Sequence, residues 1–216
     1  MEKRISIIKS SMTTYKVRLT FTDEVLGSLP GDPELHETYI ASKAPDAPTK
    51  TEEIEQMGIG DMVEKGMTIF PRDDAGKVCA WDYQLRGMIK ENIKNIKKHY
   101  PASECAKVKA NKQTADNAIF VNPRLIPFQL PPHKVIGDCQ RPLRAETAQG
   151  PRTAIAHSES IPEGSQITFE IEMTPTLGKG INGKEVLEEV LDYGALKGFG
   201  QWRNSGRGRF TWEYVE

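Results

Sequence analysis

Four glycines near residue 200 constrain this chain more than any other feature. They stand as two Gly-x-Gly pairs, Gly198-Phe199-Gly200 and Gly206-Arg207-Gly208, with five residues between them. Glycine adopts positive φ at no steric cost and lets one backbone approach another closely. The stretch therefore reads as a turn between two regular elements. A helix-like pattern, Lys184 to Leu196, leads into it, and an alternating strand, Arg209 to Val215, leads out. Among the glycines sit Trp202, Arg203, Arg207 and Arg209. Exposed backbone N–H groups, guanidinium forks and a flat indole suit a phosphate-sugar chain with unstacked bases. The same residues also suit a plain turn before an edge strand, kept soluble by its arginines.

At 216 residues with 38% hydrophobic content, the chain is long enough for one core, as one large domain or a domain with an insertion. No apolar run reaches the length of a membrane span, and Met1 to Lys9 is too short in apolar residues for a secretory leader. Cys79, Cys105 and Cys139 are odd in number and far apart. That argues against a disulfide framework and a zinc site and predicts a cytoplasmic protein. His99, His133 and His157 lack carboxylate or cysteine neighbours at ligand spacing, so no metal is expected, and no cofactor either. Net charge is -1, but the distribution is uneven. Residues 52 to 64 carry Glu52, Glu53, Glu55, Asp61 and Glu64 without a lysine or arginine. Residues 86 to 112 carry Arg86, Lys90, Lys94, Lys97, Lys98, Lys107, Lys109 and Lys112 against Glu91 and Glu104. With the basic C-terminal loop, this fits a one-sided anion-binding face.

In chain order, Tyr15 to Phe21 alternates like a half-buried strand. Pro33 to Ile40 predicts a short helix capped by Asp32, residues 44 to 51 a linker, and the acidic stretch a helix broken at Gly58 and Gly60. Met67 to Pro71 and Val78 to Trp81 predict a hairpin around Arg72–Lys77. Asp82 is the expected cap of an amphipathic helix with Leu85, Ile89, Ile93 and Ile96 on one stripe, ended by Tyr100-Pro101. Ile119 to Val121 is a short strand, Arg141 to Arg152 a hairpin or extended arm, and Ile167 to Met173 a strand. Val186, Leu187, Val190 and Leu191 form the buried stripe of the last helix. The order predicts an α+β chain, a ferredoxin-like (RRM-like) antiparallel sheet with helices on one face. We expect a single domain over 1–216, with an acidic insertion at about 44–70 and an arm-like insertion at about 107–152.

Three patches resemble the RAMP superfamily of CRISPR-associated RNA-binding proteins. Gly198 to Gly208 is similar to its C-terminal glycine-rich loop, departing at Arg207, where many members are apolar. Trp81 to Lys90 resembles the start of the first helix in backbone-type members, with Tyr83-Gln84 replacing small residues. Arg144 to Met173, with Ala156 to Ser165 at its centre, resembles a third segment of the superfamily, a glycine-containing stretch followed by a strand. The resemblance implies a backbone-like subunit that coats single-stranded guide RNA, forming a homo-oligomer along RNA or joining CRISPR-type effector subunits, with no membrane partner. The loop backbone at Gly198, Gly200, Gly206 and Gly208 with Arg203, Arg207 and Arg209 would hold phosphates and Trp202 stack a base, while Arg86, Lys90, Lys94, Arg141, Arg144 and Arg152 extend the track. The endonuclease members of the superfamily use a histidine near the first helix, which His36 matches, with Tyr39 and Lys43 nearby. A metal-independent endoribonuclease using His36 as base and Tyr39 is thus an alternative. A third is a phage- or host-encoded interaction protein or inhibitor that keeps the fold and binds a partner through its acidic stretch.

Overall fold

The computed structural model describes residues 11–30, 67–109, 111–147 and 150–216. The elements are, in order, β1 (Thr13–Phe21), β2 (Val25–Leu26), β3 (Leu29–Pro30), β4 (Met67–Ile69), β5 (Cys79–Trp81) and α1 (Asp82–His99). Then come α2 (Glu104–Lys107), α3 (Asn111–Ala118), β6 (Ile119–Asn122), β7 (Leu125–Pro127), β8 (Gly137–Thr147) and β9 (Gly150–Ile161). The chain closes with β10 (Gln166–Met173), α4 (Gly183–Lys197) and β11 (Phe210–Tyr214).

Period-two patterning builds the central sheet. Val17, Leu19 and Phe21 of β1 are buried on the same face as Ile167, Phe169, Ile171 and Met173 of β10. The sheet runs β11-β1-β10-β6, and every neighbouring pair is antiparallel. With α1 between β1 and β6 and α4 between β10 and β11, this is the ferredoxin-like β-α-β-β-α-β order. The expected fold class holds. α1 buries Leu85, Met88, Ile89, Ile93 and Ile96, α4 buries Val186, Leu187, Val190 and Leu191, and both join the sheet's apolar face in one core. Asn92, fully buried between the helices, donates from Nδ2 to the Val190 carbonyl at 3.1 Å. The opposite face of the sheet stays polar, with Lys16, Arg18, Glu170, Glu172 and Glu213 on it and Phe120 its aromatic residue.

A second sheet is organised by β9. It pairs with β8 from Gly150 to Ser160, with β2 antiparallel at Ser160 and Ile161, and with β4 parallel at His157 and Ser158. The hairpin expected over Met67–Trp81 forms only in part. Gly76 N donates to Asp73 O at 2.8 Å and Arg72 bridges Val78, but β4 goes on to pair with β3 and β9, and β5 with β7. Each arm is short and apolar, so longer-range partners that bury it outcompete the local ladder. Asp82 likewise is not the cap of α1. Trp81 holds that position, its N–H bonded to Gln84 Oε1 at 2.9 Å, while Asp82 pairs with Arg86 at 3.2 Å inside the first turn. The helix expected at 33–40, the linker, the acidic stretch and His36, Tyr39 and Lys43 lie outside the described residues. No helix among the described residues is long and apolar enough to cross a membrane.

Candidate nucleic-acid interface

The glycine-rich loop joins α4 to β11 by folding its two Gly-x-Gly pairs against each other. Phe199 N donates to Gly208 O at 2.8 Å, and Gly208 N donates to Glu24 O at 2.8 Å. A Cβ on Gly208 would lie 1.8 Å from Phe199 O, and one on Gly198 would lie 2.4 Å from Arg207 O. Gly200 approaches β2, where Leu26 O accepts from Gln201 N at 3.4 Å. Gly206 closes a short 3-10 turn, Arg203–Ser205, at φ 87° with room beside it. The N–H groups of Phe199, Gln201, Ser205, Gly206 and Gly208 are thus all spent inside the protein. What the loop presents outward is side chains.

Trp202 is the centre of that display. It is 40% exposed, in the left-handed region at φ 53°, and two guanidinium carbons lie over its ring, Arg141 at 5.1 Å and Arg207 at 5.9 Å. Arg141 comes from β8, far away in sequence, and is 7% exposed. It donates to Gln201 Oε1 at 2.9 Å and to Ser158 Oγ at 3.3 Å, and Thr68 Oγ1 donates to Ser158 Oγ at 2.8 Å. The buried Nε of Arg141 finds no acceptor among the described residues. A rigid cation is therefore held beneath an exposed indole.

The other basic residues divide into paired and unpaired. Arg203 makes a fork to Glu91 on α1, at 2.9 and 3.4 Å, and Arg207 bonds Glu24 at 2.8 Å. Arg86 pairs with Asp82 and Lys90 with Asp116. Lys94 and Arg209 are exposed and have no carboxylate partner among the described residues. Lys94 follows Glu91 by three residues, on the same side of α1, so the loop and the basic side of α1 form one surface joined at Arg203–Glu91. Arg144 and Arg152 are placed by strand register alone, opposite Thr153 and Ala145 in the outer half of the β8–β9 hairpin. Two groupings escaped sequence reasoning. Glu24 and Glu91 are 183 and 112 residues from their arginines, beyond any local signal. His157 and Asp138 pair across the hairpin with Gln140 beside them, a consequence of register. No three His, Cys, Asp or Glu side chains among the described residues are grouped to hold a metal ion.

No protein-family model matches the chain, and no curated protein matches it. Among solved structures it is similar to a chain of the type III-B Cmr-beta structure bound to cognate target RNA, at TM-score 0.47 and 12% identity. The match covers 96% of this chain, which spans 62% of the length of the other.

Proposed function

We propose that the protein binds single-stranded RNA as a RAMP-type subunit, with the glycine-rich loop and the adjoining side of α1 as its contact surface. The observation that carries the reading is Trp202, an exposed indole fixed on a rigid turn with Arg141 and Arg207 over its ring. An aromatic face beside cations suits successive unpaired bases without selecting their sequence. Arg209, Arg203, Lys90 and Lys94 continue the cationic surface to either side, where the sugar-phosphate chain would run.

The test is retention of a labelled single-stranded RNA of about 30 nucleotides, longer than typical single-strand sites, across a salt series. Wild type should bind tightly at low salt. The Arg203→Ala/Arg207→Ala/Arg209→Ala variant should lose about 2 from the log–log salt slope, at roughly 0.7 per phosphate contact on a single strand. Trp202→Ala should weaken binding by about 1–3 kcal/mol, the usual contribution of one stacked base. Absence of retention at low salt, or a triple variant that binds like wild type, overturns the reading. A stable complex with another protein in place of RNA would return the interaction-protein alternative.

A further inference from the structure

The pairing of two loop arginines raises a question that the RNA-binding reading, on which this inference rests, leaves open. Arg203 and Arg207 are already neutralised, yet among the described residues the carboxylates that neutralise them hold nothing else. Glu159, by comparison, accepts from Phe70 N as well as from Arg72, and Glu189 accepts from the N–H groups of Glu104 and Cys105 at the start of α2. Those carboxylates are parts of the scaffold. The Glu24 and Glu91 side chains have no partner other than Arg207 and Arg203 among the described residues, and both pairs remain partly open to water on both sides. The Arg203–Glu91 fork also has the two-point geometry that a guanidinium offers a phosphate.

We infer that Glu24 and Glu91 are carboxylate latches, internal stand-ins for RNA phosphates that hold Arg207 and Arg203 in place until a phosphate displaces them. Arg209 and Lys94, which carry no such counter-ion among the described residues, make the first contact. Arg203 and Arg207 then exchange carboxylate for phosphate oxygens, and the free glutamates turn to solvent. The device lowers affinity for isolated phosphates and short fragments. A strand long enough to open both latches at once gains from Trp202 and from both arginines together.

The experiment is a double-mutant cycle on the full chain, read by the same RNA retention assay. Glu24→Gln keeps the shape of the side chain and removes the competing charge. It should tighten binding about two- to fivefold at low salt, the range set by one exposed ion pair, and the gain should shrink as salt screens the pair. Glu91→Gln should behave alike. The deciding arm repeats Glu24→Gln in an Arg207→Gln background, where the latch has nothing to hold and the gain should vanish. An equal gain in both backgrounds would mean a general repulsion of RNA by Glu24 and overturns the latch. Unchanged or weaker binding in Glu24→Gln, with an unaltered thermal melt, would mean a purely structural pair and also overturns it. A wild type that does not retain RNA overturns the latch together with the RNA-binding reading, whereas a wild type that binds and variants that do not tighten overturn the latch alone.

Discussion

Replacing Gly208 by alanine separates two demands that the glycine loop makes on its backbone. The residue lies at φ 72°, and its added Cβ would stand 1.8 Å from the Phe199 carbonyl oxygen. Positive φ alone costs an alanine about 1–2 kcal/mol. Relieving the clash must also move the two crossing strands of the loop apart by more than an ångström's worth of contact, roughly the gap between the clash and ordinary van der Waals separation. That movement breaks the 2.8 Å bonds from Phe199 N to Gly208 O and from Gly208 N to Glu24 O. At about 1–2 kcal/mol for each bond lost, the total reaches roughly 3–6 kcal/mol. Gly206→Ala is the internal control, because Gly206 has φ 87° with no atom closer than the Arg209 guanidinium at 3.7 Å. It should cost only the ~1–2 kcal/mol of conformation. For a chain of this size, with about 2–4 °C lost per kcal/mol, the melting temperature should fall by about 6–24 °C for Gly208→Ala and by about 2–8 °C for Gly206→Ala. Scanning calorimetry on both variants decides. Equal shifts would refute the claim that Gly208 is required where backbone crosses backbone.

Three further outcomes follow from the structure. The polar sheet face carries Glu170, Glu172 and Glu213, and Arg18 is tied to Glu213 at 3.0 Å, so it is a poor path for a polyanion. Phe120→Ala on that face should leave RNA affinity within about twofold, since a stacked base would contribute about 1–3 kcal/mol; a tenfold loss would move the interface from loop to sheet. Burial raises the Cys79 thiol from 9.0 to about 11 and pushes Cys105 higher still. In native protein at pH 8, Cys139 should therefore react first with a thiol reagent, and labelling followed by peptide mapping reads this directly. Because unfolded chains release the Cys79 proton first, stability should fall as pH climbs from 9.0 through about 11.

Much of the scaffold was legible because it is written in short-range periods. The alternation in Tyr15–Phe21 and Ile167–Met173 and the four-four-three spacing of Leu85, Ile89, Ile93 and Ile96 each mark a buried face, and the structure buries them. The apolar stripe marked the last helix correctly, and Asn182 caps it by accepting from Lys184 N at 3.0 Å. Local signals misled where a segment had two uses. The turn at Asp73–Gly76 does close, but the apolar residues on either side of it are claimed by β9 and β7. In the candidate site, sequence marked which residues carry charge but not which charges meet. Glycine spacing announced positive φ without saying that the loop's N–H groups would be consumed by Leu26, Glu24 and the loop itself. Arg141 reads as one more arginine on an arm; only the fold places it beneath Trp202.

The pairing of β9 makes the β8–β9 hairpin a cantilever. Residues 157–160 are gripped from both sides, by β8 and by β2 or β4, whereas, among the described residues, 150–156 are paired with β8 alone. Arg141 lies opposite Ala156, one position beyond the end of that grip. It therefore stands at the fulcrum, and a load applied to the outer half of the arm bears on the Arg141–Trp202 contact before it reaches the central sheet.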